Sequence, residues 1–115
     1  MKLAVIIPVY NAEQIIKRAV LSVDTKSDYE IICVNDGSTD HTKNVLTELQ
    51  KEHKNIKVIH QDNQGAARSR NVGLEAMSDD VEAFLFLDAD DEYLPSRIDA
   101  MIKTFENHSE TDIVI

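Results

Sequence analysis

Short apolar runs rich in β-branched residues alternate along this chain with segments whose apolar positions recur every three or four residues. Residues 3–7 (LAVII) and 31–34 (IICV) are continuous apolar runs, the pattern of strands covered on both faces of a parallel sheet. Residues 83–87 (AFLFL) read the same way, residues 56–59 (IKVI) alternate as a sheet edge does, and residues 112–115 (DIVI) predict a fifth strand. Between them, Ala12, Ile15, Ile16, Ala19, Val20 and Val23 fall on one face of a helix that Asn11 can cap, with Gln14 at its third position. Val45, Leu46 and Leu49 mark a second helix, entered through GSTD with cap-forming Ser38, Thr39 and Asp40. A third is predicted from Gly65 to Met77, and a fourth starts at Pro95 and buries Ile98, Met101, Ile102 and Phe105. The order βαβαβαβαβ predicts an open, mostly parallel α/β sheet with helices on both faces and right-handed crossovers.

The 115 residues suit one domain, spanning 1–115, with a real core. Lys and Arg number 12 against 21 Asp and Glu, a net charge of −9 with no basic patch, so nucleic acid and anionic membrane surfaces are excluded as partners. No run approaches the ~20 apolar residues of a membrane span. The amino end, MKLAVIIPVYNAEQ, carries no cleavage signal and reads as the first strand. The single cysteine, Cys33, has no disulfide partner, which predicts a reducing cytoplasm and a residue packed as a small hydrophobe.

Ligands of such sheets bind at the carboxyl ends of the strands. There the sequence places PVYN (8–11), NDGSTD (35–40), HQDNQGAARSRN (60–71) and DADDEY (88–93), and strands ~4.8 Å apart gather such loops on one rim. The last loop is the densest in charge. Two like charges ~4 Å apart repel by roughly 4 kcal/mol at an effective dielectric near 20, so these carboxylates call for water or a cation between them. Mg²⁺ or Mn²⁺ takes one or two carboxylates and completes its shell with water and phosphate oxygens.

The other rim residues each have two readings. Asp36, before Gly37, either forms the turn into the second helix or joins the site. Tyr10 packs or faces a ligand. Arg68 and Arg70 oppose the positive end of a helix and need a partner, either a phosphate or a surface carboxylate. His41, His53, His60 and His108 show no ligand spacing and read as surface or packing residues. Neither G-x-G-x-x-G after the first strand nor G-x-x-x-x-G-K-[ST] occurs, so phosphates must be held by other means.

In this order and spacing, IIPVYN, VNDGSTD, NQGAARSRNVG and FLDADDEY resemble the donor-binding half of an inverting family 2 glycosyltransferase of the GT-A fold, over essentially the whole chain. The resemblance implies that Pro8, Val9, Tyr10 and Asn11 lie beside a nucleotide base and that Asp36 hydrogen-bonds its edge. It implies that Asp88, Ala89 and Asp90 are the Asp-x-Asp motif, with Asp90 the main ligand of Mn²⁺ or Mg²⁺ and Asp88 near ribose, diphosphate and metal. Asn63, Gly65, Arg70, Asn71 and Gly73 match a segment that brings Arg70 near the phosphates. Asn35 stands where many members have a second Asp, and Ser69 where Ala is usual.

The partners so implied are a nucleotide-diphospho-sugar donor and a saccharide or lipid-linked acceptor, with membrane association of a full-length protein left open. The family's acceptor half, with the catalytic base, would follow Ile115, so residues 1–115 are expected to be a truncated donor-binding portion that does not transfer by itself. A nucleotidyltransferase is the other enzymatic reading, though it would carry a glycine-rich loop where PVYN stands. A metal- or nucleotide-binding module without transfer chemistry is the third. The open edge of the fourth strand can also recruit a second copy of the chain.

Overall fold

The computed structural model describes residues 1–107. Its elements are β1 (Lys2–Val9), α1 (Ile16–Leu21), β2 (Asp28–Asp36), α2 (Thr42–Glu52), β3 (Ile56–Gln61), α3 (Ala66–Glu75), β4 (Ala83–Phe86) and α4 (Arg97–Asn107). The predicted fifth strand at 112–115 lies outside the described residues. All pairings are parallel and the strand order is β3-β2-β1-β4, so β3 is an edge as its alternation predicts. The chain winds from β1 outward to β3 and returns to β4 on the other side of β1, which puts the topological switch between β1 and β4.

The pleat of β1 explains its unbroken apolar run. Leu3, Val5, Ile7 and Val9 pack against Ile16, Ala19 and Val20 of α1, Leu46 and Leu49 of α2, and Ile98, Met101 and Ile102 of α4. Ala4 and Ile6 face the opposite way with Ile32 and Val34, under Val72 and Leu74 of α3. Burying each Val, Leu or Ile contributes about 1.5–3 kcal/mol. Gly73 lets α3 approach β1 closely, because a Cβ there would lie 2.4 Å from Ile6 Cγ2.

Several expectations are corrected. The run 83–87 is not covered on both faces: α3 lies over β1 and β2, and Phe84 and Phe86 of β4, an edge strand among the described residues, remain 46% and 42% exposed. The first helix is regular only over Ile16–Leu21, although Ala12, Ile16, Ala19, Val20 and Val23 are buried as predicted. Asn11 does not cap it, and no side chain does; the segment leading into it is tied instead to the start of α2, Ala12 N donating to Thr42 Oγ1 (2.9 Å) and Glu13 N to Asp40 Oδ2 (3.4 Å). α4 begins at Arg97, after Ser96 at φ 63°, rather than at Pro95, and Phe105 is only half-buried. His41 is the N-cap of the second helix and makes no side-chain cap bond; Asp40, one residue earlier, still accepts the first helical N–H, that of Thr42, on Oδ1 (2.9 Å). Cys33 is buried in the core with its thiol pushed up to about 12 by burial.

Candidate functional site

Four loops meet at the carboxyl ends of the strands, and two adjacent residues of β2 organise them. Asn35 and Asp36 end the strand, so their side chains leave it on opposite faces. On one face, Asn35 Oδ1 accepts from Ser38 Oγ (2.5 Å), and Ser38 Oγ accepts from Asn11 N (3.0 Å). Asn11 Oδ1 in turn accepts from Thr39 N (2.8 Å), and its Nδ2 donates to Thr39 Oγ1 (3.2 Å). Asn11 is thereby held at φ 46°, and the preceding Tyr10 stands 51% exposed on the rim instead of packing. Pro8 is half-buried and Val9 lies in the core.

On the other face, Asp36 is buried and its carboxylate accepts four hydrogen bonds. Oδ1 receives Gln61 Nε2 (2.9 Å) and Gln64 N (2.7 Å), and Oδ2 receives Gly65 N (2.9 Å) and Asn63 Nδ2 (3.3 Å). Those four fill the acceptor capacity of a carboxylate. Burial alone would raise its pKa, but the bonds from Gln61, Gln64 and Gly65 outweigh it and hold the group below its ordinary 3.8. Ser69 completes the arrangement, its Oγ accepting from Gln61 Nε2 (3.2 Å) and donating to Gly65 O (2.9 Å). Gly37 is required here on two counts: its φ is 72°, and a Cβ would meet Asn63 N at 2.6 Å. Asp36 thus does more than form a turn; it fixes the loop from which α3 starts.

The β4 loop continues the pleat past the strand, with Leu87 and half-buried Ala89 packed inward and Asp88 and Asp90 outward. Asp91 N donates to Asp88 O (2.9 Å), which folds the loop back. Tyr93 pins it from below: its N–H donates to Ser22 Oγ (2.9 Å) and its hydroxyl to Phe86 O (3.3 Å), with burial pushing the phenol up to about 12. Asp88, Asp90 and Asp91 are exposed, and each can offer an oxygen within 4.8 Å of the other two. This all-oxygen, triply anionic set fits a hard divalent cation.

Arg70, from the early turns of α3, approaches the same group, with Nη2 3.5 Å from Asp88 Oδ1 and its guanidinium 5.8 Å from the centre of the Phe86 ring. Arg68 is exposed and has no ion-pair partner among the described residues. The rim is an open surface. A concavity of about 790 Å³ lies beside α1 against Arg18, Ser22, Glu92 and Tyr93 and is not lined by Asp36, Asp88 or Asp90.

The structure therefore brings Tyr10, Asn11, Asp36, Asn63, Gly65, Arg70, Asp88 and Asp90 to one end of the sheet, while Asn71 points to solvent and Gly73 serves helix packing. Sequence reading missed the contacts that His60, Gln61 and Ser69 make with the rim. The signal for the first two is the β2–β3 register, which sets Asn35 opposite His60 and Asp36 opposite Gln61; Ser69, on α3, has no such signal.

Comparison with known proteins agrees with this architecture. The chain is 42% identical over 109 residues to an uncharacterized glycosyltransferase of Nostoc, covering 92% of this chain and 33% of that protein. It superimposes on the crystal structure of S. aureus TarS 1–349 in complex with UDP with a TM-score of 0.81 and 29% identity, over 95% of this chain and 33% of that one. The mannosyltransferase PcManGT from Pyrobaculum calidifontis, solved with GDP-Man and Mn²⁺, shares the fold with a TM-score of 0.77 at 20% identity, over 90% of this chain and 32% of that one. The chain thus spans about a third of the length of the relatives it matches. Among the described residues no helix is long and apolar enough to cross a membrane. With residues 4–115 matching the profile of Glycosyl transferase family 2 and the sheet matching GT-A-type glycosyltransferases, the chain belongs to that family.

Proposed function

We propose that this rim binds the nucleoside diphosphate of a nucleotide-sugar donor, serving the donor side of a metal-assisted, inverting glycosyl transfer. The observation that carries the reading is the exposed group of Asp88, Asp90 and Asp91 beside the switch point between β1 and β4, with Arg70 facing it. Asp90 and Asp88 would hold Mn²⁺ or Mg²⁺, which when bound neutralises charge on the departing diphosphate.

The chain's own residues bind and orient. Tyr10 offers an exposed ring to the base, and Arg70, only loosely paired with Asp88 at 3.5 Å, can turn to a phosphate oxygen. Asp36 reaches a base N–H by releasing Asn63 Nδ2, the longest of its four bonds at 3.3 Å. With Asp36, Asp88, Asp90 and Asp91 all on the donor side, none of these carboxylates is free to deprotonate an acceptor hydroxyl. We therefore propose that the chain holds donor without transferring sugar alone.

Calorimetric titration with UDP and with GDP in Mg²⁺ tests the reading. Saturable binding that weakens about tenfold or more in Arg70→Ala is expected. Absence of binding to either nucleotide, or binding indifferent to Arg70, contradicts it.

A further inference from the structure

We propose that His60 is a positioning residue: its neutral imidazole, acting through Asn35 and Ser38, fixes the backbone of Asn11 and with it the Tyr10 edge of the rim. Asn35 and His60 are register partners at the ends of β2 and β3, and Asn35 Nδ2 lies 3.1 Å from His60 Nδ1. The amide nitrogen can only donate, so His60 Nδ1 accepts and the imidazole carries its proton on Nε2. That orientation turns Asn35 Oδ1 toward Ser38, which spends its single proton there at 2.5 Å. The hydroxyl oxygen is then left to accept from Asn11 N at 3.0 Å. The polarity of all three bonds is set from the histidine end. Their product is Asn11 at φ 46°, a left-handed conformation that asparagine adopts more readily than other non-glycine residues and that these bonds hold in place.

Protonation of His60 would place an Nδ1–H against the Asn35 amine. The amide must then turn over, and Ser38 loses the acceptor for its proton while still receiving Asn11 N–H. His60 is exposed on the edge strand β3, and its partial desolvation there, followed by the charge of Lys43 on α2, holds its pKa below the ordinary 6.5. Lys43 is the charged group acting on the ring and Asn35 its polar partner. Asn35 is suited to this polarity: a carboxylate at the same position has no donor and would instead favour the imidazolium.

The ligand arm of the test rests on the nucleotide reading above; the first arm does not. Nitrogen-15 NMR of the chain between about pH 5 and pH 8 should show His60 with its proton on Nε2 and the Asn11 amide titrating with the same midpoint as the ring, below 6.5. Ser38→Ala should silence the Asn11 response while His60 still titrates, and Asn35→Asp should move the midpoint upward. An Asn11 amide indifferent to His60 protonation, or a ring protonated on Nδ1, overturns the proposal.

In the second arm, UDP affinity in Mg²⁺ is compared between wild type and His60→Gln from about pH 7.5 to about pH 5.5. The comparison cancels protonation of the nucleotide's own phosphate. Wild type should lose about fivefold more than the variant. An equal loss in both overturns the role of the relay in binding, whereas an intact relay with no UDP binding at any pH supports the positioning and refutes the nucleotide reading.

Discussion

Two acidic regions at the same end of the sheet are used in opposite ways. Asp36 is buried, accepts four hydrogen bonds and is held in its charged form by them. Asp88, Asp90 and Asp91 are exposed, and Arg70 at 3.5 Å from Asp88 is their one ion-pair partner among the described residues. The first carboxylate holds loops together; the other three keep their oxygens available. The crowding of Asp88, Asp90 and Asp91 is visible in the sequence, but nothing in the DG pair of Asp36 and Gly37 shows that Asp36 is buried. What separates them is which donors the topology delivers: the end of β3 and the loop after it offer Asp36 two backbone N–H groups and two side-chain amides, and among the described residues nothing equivalent reaches the β4 loop.

The largest effect expected from breaking this contrast is on stability at Asp36. Asp36→Ala removes four acceptor contacts to a charged group and should cost about 3 kcal/mol in urea unfolding, while Asp90→Ala costs close to nothing. Equal costs at the two positions would erase the distinction. Next comes Gly37→Ala, which sets a Cβ 2.6 Å from Asn63 N at φ 72°. About 2 kcal/mol is expected, a fall in melting temperature on the order of 10 °C.

Acid sharpens the comparison further. Burial would raise the pKa values of Asp36 and Glu30, but Gln61, Gln64 and Gly65 at the first, and Ser78 and Lys57 at the second, lower them below 3.8 and 4.5. A carboxylate depressed in the folded state contributes stability above its unfolded pKa and loses it as pH falls through the folded one. The chain should therefore lose stability progressively below about pH 4.5, and Asp36→Asn should show a shallower loss than wild type. The smallest effect is reserved for the exposed group. Replacing Asp88, Asp90 and Asp91 together by Asn should change stability by no more than about 0.5 kcal/mol, with a slight gain from relieved repulsion the expected direction, since the exposed Arg70–Asp88 pair contributes little.

Much of this was legible in the sequence. The continuous runs of β1 and β2 gave central strands, the alternation of β3 gave an edge, and the order of loops placed the rim. The exposed aspartates were visible because like charges crowd within four positions. What escaped depended on contacts distant in the chain. Asn11 has the right type and place for a helix cap, yet its side chain is engaged by Thr39, about 30 residues away, while Thr42 and Asp40 accept from Ala12 N and Glu13 N. AFLFL looks like a core strand, yet which strands α3 covers is a property of the crossover rather than of the run. His60 has no ligand spacing because its partner is across the sheet.

The central claim is that the exposed aspartates are kept for a cation and a diphosphate. The direct test is calorimetric titration of the chain with UDP in Mn²⁺ and in chelator, repeated on the variant carrying Asn at 88, 90 and 91. Wild type should bind at least about tenfold more tightly with Mn²⁺ than with chelator, and the folded variant should lose that difference. Identical affinity in Mn²⁺ and chelator, or an undiminished metal effect in the variant, would contradict the account.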